Sequence, residues 1–158
     1  MPALHSSVVR VGKAGDQDLS ELIELDHEAF PADPFPFSLM RQFMDMFPDH
    51  LLVAEGDDGR VCGYVLATPP NKGQSWIVSL AVDPAARGGG VGRQLMRETL
   101  KSLRAAGTAT VLLWVEPAND HAIALYLSLG FVRDPAGPRP DHFGPGADRL
   151  LMSLTLSG

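Results

Sequence analysis

The chain has 158 residues, 45% of them hydrophobic and 20% charged, which fits one ordinary globular domain able to bury a core without staples. A single cysteine, Cys62, excludes an internal disulfide and a thiolate metal site. The net charge of −6, with no cluster of Lys and Arg, argues against a nucleic-acid partner, and no apolar run approaches the ~20 residues of a bilayer span.

Met1–Arg10 lacks the apolar stretch of a secretory signal, so the expected location is the cytoplasm. Val8–Val11 is short and β-branched and predicts a first strand. Asp18 with Glu21 three residues on reads as a capping box, and Leu19, Leu22, Ile23, Ala29 and Phe30 recur at helical spacing. Pro31, Pro34 and Pro36 end that helix; a second, Leu39–Phe47, ends at Pro48. Strands are predicted at Leu51–Ala54 and Val61–Ala67, joined as a hairpin through Gly56–Gly59. A third, Trp76–Val82, is apolar almost throughout and predicts burial on both faces, with Cys62 in the core nearby.

A glycine turn, Arg87–Arg93, then enters a helix carrying Val91, Leu95, Leu100 and Leu103, closed by Gly107. Thr110–Val115 predicts a strand, Ala118–Leu129 a helix closed by Gly130, and Phe131–Arg133 a strand start. A Pro/Gly-rich loop, Pro135–Gly146, precedes the last strand, Leu150–Leu156. Hairpins lead and strand–helix–strand units follow, so the expected architecture is one α/β (α+β) domain over residues 1–158 with a mixed sheet.

The turn carries the chemistry. Gly88, Gly89, Gly90 and Gly92 fill four of five consecutive positions. A helix N-terminus leaves its first N–H groups without internal partners, and these groups with the helix dipole attract anions. Glycines let a phosphate reach the backbone, and Arg87 and Arg93 add charge-assisted donors. The spacing is neither GxGxxG, since Arg93 stands where the last glycine belongs, nor a P-loop, since no Gly-Lys-Ser/Thr follows. A dinucleotide or nucleoside triphosphate is therefore disfavoured.

Leu80-Ala81-Val82-Asp83-Pro84-Ala85-Ala86-Arg87-Gly88-Gly89-Gly90-Val91-Gly92 resembles motif A of the GNAT acetyltransferases, whose Arg/Gln-x-x-Gly-x-Gly/Ala signature is matched by Arg87, Gly90 and Gly92. Asn119, Ala124, Leu125, Tyr126, Gly130 and Phe131 resemble motif B, in the family's order and separation. The resemblance implies a mostly antiparallel sheet of about six to seven strands, helices on both faces, and a central strand pair that splays apart. It implies acetyl-CoA as co-substrate, no metal, and an amine acceptor. The pyrophosphate would lie on Gly88, Gly89, Gly90, Val91, Gly92 and Arg93, and the pantetheine arm along Leu80, Ala81 and Val82, with Asn119 beside it. Asp141–Met152 is similar to the tail of N-terminal acetyltransferases of the ribosomal-protein type, but His142 and Phe143 stand where those carry tyrosines.

In such enzymes the amine attacks the thioester directly, and Tyr126 stands where the family places the acid that protonates the leaving thiolate. Tyr126 also fits the apolar face of its helix with Ile123 and Leu127, so an acid role and a core role are both open. The amine must be neutral. A lysine with pKa near 10.4 costs about 4 kcal/mol to deprotonate at pH 7.4, an α-amine near 8 under about 1 kcal/mol. Strand positions where relatives carry a glutamate hold Trp76 and Trp114 here. Glu116, expected on the Trp114 face, is the nearest carboxylate; a solvated strand end and deprotonation through water are the other readings.

The tryptophans could stack a cation or a flat ring, or pack as core. Phe35, Phe37, Phe43 and Met44 suggest an apolar acceptor wall within Phe30–Phe47, or core contacts of the second helix. Asp26 and Glu28 face either the acceptor or solvent. His5, His27, His50, His121 and His142 lack metal-ligand spacing. A catalytically silent acetyl-CoA-binding sensor or interaction module is the alternative to an enzyme, and monomer and homodimer are both open.

Overall fold

A computed structural model of the protein describes residues 9–156. In chain order the elements are β1 (Arg10–Lys13), α1 (Leu19–Ala29), α2 (Phe37–Met46), β2 (Leu51–Glu55), β3 (Val61–Ala67), β4 (Gln74–Val82), α3 (Val91–Ala105), β5 (Thr110–Val115), α4 (Asp120–Ser128), β6 (Val132–Arg133) and β7 (Leu150–Thr155). The strands hydrogen-bond in the order β1-β2-β3-β4-β5-β7-β6. β4 and β5 run parallel; β1/β2, β2/β3, β5/β7 and β6/β7 run antiparallel. The expected mixed, mostly antiparallel sheet is what forms.

Two compact units divide the chain: the described residues up to Ala67 with Ser79–Ser102, and Thr68–Val78 with Leu103 onward. In the first unit, β3 is covered on both faces. Tyr64 points toward α1, where its hydroxyl donates to Asp26. Its neighbour Gly63 points the opposite way, as alternation requires. A Cβ there would come within 3.0 Å of Leu95 and 3.1 Å of Val91, both on α3. Glycine at 63 is thus what lets α3 lie close against the strand. Leu19, Leu22 and Leu25 of α1 join Met40 and Met44 of α2 over Leu51, Val53 and Leu66 in one buried cluster.

Several boundaries differ from expectation. Of the predicted strand Val8–Val11, Val8 lies outside the described residues, and β1 runs on to Lys13. The capping box sits three residues earlier: the Asp18 carboxylate accepts from the Gly15 amide at 2.8 Å, ahead of a 3-10 turn, while Glu21 accepts from Val61 N–H on β3. α2 begins at Phe37 because the Pro36 carbonyl accepts the first helical bonds, from Leu39 and Met40. β4 is not buried on both faces. Ser75, Ile77 and Ala81 are buried, but Val78 is 40% exposed, so one face carries most of its burial. Cys62 is only half-buried; burial, with Asp58 and Asp83 nearby, pushes its thiol pKa up.

In the second unit β5 pairs β4 over four residues, Gln74↔Thr110 to Ile77↔Leu113, and β7 along its whole length. Val78 and Trp114, next in line, are not among the paired residues. Ser75 and Thr108 bond through their hydroxyls at 2.8 Å, which satisfies two buried polar groups together.

Candidate active site

The glycine turn belongs to the first unit. Asp83 opens it: its amide donates to the Cys62 carbonyl at 2.8 Å and its carboxylate caps Ala85 N–H at 3.0 Å. A single 3-10 turn, Pro84–Ala86, leads to the exposed run 87–90. Gly88 and Gly90 adopt φ of 86° and 81°, a left-handed conformation that side chains disfavour, and a Cβ at either would meet nothing within 4 Å. Their glycine identity therefore answers to backbone conformation and to open space above the turn. Among the described hydrogen bonds no amide from Gly88 to Arg93 donates; the first helical bond runs from Gln94 to the Gly90 carbonyl. A row of amides at the start of the 15-residue helix α3 thus has no partner among the described hydrogen bonds, and the space over Gly88 and Gly90 is open, as an anion site requires.

The second unit carries the other residues singled out in the sequence. Asn119 is the N-cap of α4, and its side-chain oxygen accepts from Ala122 N–H at 3.1 Å. That use leaves its NH2 group as the free donor. Tyr126 is 7% exposed, its ring tilted against Phe131 at 5.8 Å. Burial pushes its hydroxyl pKa up to about 12, so it stays protonated at neutral pH. Glu116 follows β5 rather than ending it: it is exposed, and its carbonyl accepts from Asn119 N–H in the turn to α4. The strand alternation that would align it with Trp114 stops at Val115.

Trp76 and Trp114 stack with centroids 6.1 Å apart and 20° between planes. His142 lies on Trp114 at 4.0 Å and Phe143 follows at 5.8 Å. The Arg139 guanidinium sits 5.0 Å over the Trp114 ring and that of Arg149 4.7 Å over Phe143. The row includes both residues that replace the expected tyrosines. It rests on a self-braced loop: Arg139 bonds Asp134 at 2.9 Å, and Asp141 N–H bonds the Asp148 carboxylate at 2.9 Å.

The acetyltransferase (GNAT) family profile matches residues 19–131, more than half of the chain. The protein is a GNAT acetyltransferase. The matched span holds the open turn, the strand before it and the Asn119–Phe131 segment. This acetyltransferase is 35% identical over 144 residues to an uncharacterized N-acetyltransferase of Methanocaldococcus jannaschii, covering 90% of this chain and 88% of that one. It is 33% identical over 151 residues to the N-alpha-acetyltransferase RimI of Mycobacterium tuberculosis, covering 91% and 90%. Its fold matches the crystal structure of Ard1 from Thermoplasma volcanium with a TM-score of 0.86 at 21% identity, over 95% of this chain and 99% of that one. Enzymes of this family use acetyl-CoA. Among the described residues no group of three or more His, Cys, Asp or Glu side chains could hold a metal, and no helix is long and apolar enough to cross a membrane.

The sequence did not reveal one constellation. Asp26 is fully buried, not solvated. Its Oδ2 accepts from Phe35 N–H at 2.6 Å and its Oδ1 from the Tyr64 hydroxyl at 2.5 Å, and that hydroxyl also meets Ser79 Oγ at 2.8 Å. A lone hydroxyl in the apolar strand 61–67 was the available signal, since a buried tyrosine needs a polar partner. Glu28, by contrast, is exposed.

Proposed function

We propose that the protein, acting as one catalytic domain, transfers the acetyl group of acetyl-CoA to a primary amine by direct attack in a ternary complex. The observation that carries this reading is the run of undonated amides from Gly88 to Arg93, with open space over Gly88 and Gly90. Gly88, Gly89, Gly90, Val91, Gly92 and Arg93 hold the pyrophosphate, and Arg87 adds charge. The backbone of Leu80, Ala81 and Val82 takes the pantetheine arm, with Val82 N–H the donor to the thioester carbonyl. The Asn119 NH2 group contacts the same arm. Alignment of the two substrates makes the reaction effectively unimolecular.

Tyr126 is the proton donor to the leaving thiolate. Its buried, protonated hydroxyl supports that role. Glu116 is the carboxylate proposed from the sequence for the amine proton; its exposed place in a turn gives it little to fix its direction. The Phe30–Phe47 segment forms the acceptor wall, for which the exposure of Phe30 (38%) and Phe37 (55%) leaves apolar surface. A protein N-terminus is the favoured acceptor, because the relative named for N-alpha acetylation is matched along nearly its whole length. A small amine is the second reading: His142 and Phe143 stand where those relatives carry tyrosines, so hydroxyls able to bond a peptide backbone are gone.

The experiment is thiol release from acetyl-CoA across a panel of amino-terminal peptides and small amines. Release with at least one acceptor supports the transferase. Acetyl-CoA binding with no release on any acceptor makes the protein a cofactor sensor.

A further inference from the structure

The buried trio Asp26, Tyr64 and Ser79 has a direction. A phenol has one proton, and Tyr64 places it on the Asp26 carboxylate. The 2.8 Å contact to Ser79 is therefore made with the serine's proton, donated to the tyrosine oxygen. Ser79 is left with lone pairs and no proton to give, on a half-exposed stretch of β4. Every member of the chain points its proton inward, toward a carboxylate wholly removed from water. Burial, with the Asp26 hydrogen bond, raises the Tyr64 pKa well above the usual range, so the phenol rests protonated.

Asp26 has no exposure, and the donors it holds are Phe35 N–H and the Tyr64 hydroxyl, which makes it the inner end of that line. Tyr64 and Asp26 are fully buried, so Ser79 is the one member of the trio that solvent or a substrate can reach.

We propose that Ser79, Tyr64 and Asp26 form the base relay of the transfer reaction, with Ser79 Oγ as the group that touches the amine. This rests on the transferase reading above. The ammonium gives a proton to Ser79 Oγ; the serine's proton passes to Tyr64 and the tyrosine's to Asp26 Oδ1. The freed nitrogen lone pair attacks the thioester carbon and the carbon–sulfur bond breaks. The proton shed as the amide forms balances the one taken by the thiolate. The proton on Asp26 returns along the same path to solvent once the products leave. Ser79 is the catalytic member; Tyr64 and Asp26 act through it.

The test compares acceptors of one shape and different basicity: an amino-terminal alanyl peptide with its 3,3,3-trifluoroalanyl counterpart, and ethylamine with 2,2,2-trifluoroethylamine. The fluorinated amines are far less protonated at neutral pH and need less help from a base. Ser79→Ala and Asp26→Asn lower kcat/KM for the basic amines by about 100-fold and for the fluorinated ones by less than about 3-fold. Acetyl-CoA affinity by calorimetry stays within about 2-fold, which shows that the fold survives. Ser79→Ala, on a half-exposed side chain, is the variant that keeps the test decisive if Asp26→Asn unfolds.

Equal losses on both members of a pair overturn the relay and leave the network a structural brace. No loss in Ser79→Ala, or the selective loss appearing in Glu116→Gln instead, overturns it too. Wild-type protein that transfers to none of the four amines overturns the transferase reading on these acceptors and the relay with it; transfer without the selective loss overturns the relay alone.

Discussion

The rings of Trp76 and Trp114 stack at 6.1 Å although Trp76 is in register with Leu112, two residues away. The pair is diagonal across parallel strands, a distance within reach of large side chains such as these. Trp114 is then touched by three residues from different places in the sequence: Trp76, His142 and Arg139.

Trp114→Ala therefore removes three contacts at once. It should lower unfolding stability by about 2–3 kcal/mol, less than for a fully buried tryptophan because this one is half-exposed. Urea denaturation measures the loss. Limited proteolysis should show faster cleavage between residues 134 and 149; an unchanged cleavage rate would mean that the loop's own bonds suffice.

Gly90→Ala separates backbone strain from ligand contact. The new methyl meets no protein atom within 4 Å, so the stability cost comes from the φ of 81° alone, about 1 kcal/mol. The methyl stands in the space assigned to the pyrophosphate. Acetyl-CoA affinity should fall at least about 10-fold, a loss larger than the strain predicts. Equal losses in stability and affinity would count against that placement.

Tyr126→Phe should reduce kcat at least about 10-fold while leaving acetyl-CoA binding unchanged. Because burial pushes the hydroxyl pKa up to about 12, a donor at this position stays protonated far above neutrality. Wild-type kcat should show no alkaline fall from this group up to about pH 10, the pKa of a free tyrosine. A fall centred below that pH, absent in Tyr126→Phe, would assign the hydroxyl a different environment.

His50 predicts an acid-side weakness. Burial, the largest cause, lowers its pKa, against the opposing pull of Asp49 and with a small push from Lys13. Its Nδ1 is buried with no hydrogen-bond partner. A folded pKa below the unfolded value of about 6.5 means that the unfolded chain takes up the proton first. The stability contribution is intact above about pH 6.5 and is lost as pH falls from there through the folded pKa. Tm should drop between pH 7 and 5, and His50→Leu should flatten that slope. Parallel curves for the two proteins would remove His50 as the cause.

The features legible in the sequence are those set by near neighbours. Three consecutive glycines entering a periodic apolar stretch locate an exposed helix start, because the bonding vacancy at a helix N-terminus is a local fact. Thr110–Val115 was bounded correctly by its β-branched content and flanking turns. Asp26 was not legible: its partner Tyr64 lies 38 residues away, and nothing local tells a buried acid from a solvated one on a helix. The Glu116 placement failed for a related reason. Alternation predicts a face only while the strand lasts, and β5 ends one residue short. The helix predicted from Ala118 starts at Asp120, because the Asn119 side chain accepts from Ala122 N–H and caps it.

The excursion between Asp134 and Arg149 is held by Asp134 to Arg139, by Asp148 to the Asp141 amide, by Asp141 to the Gly146 amide, and by reciprocal backbone bonds between Arg139 and Arg149. None of those hydrogen bonds uses the side chain of position 142 or 143. The two ring-bearing positions ride on scaffolding they do not maintain. Exchanging either ring would alter the aromatic row and leave every one of those bonds in place.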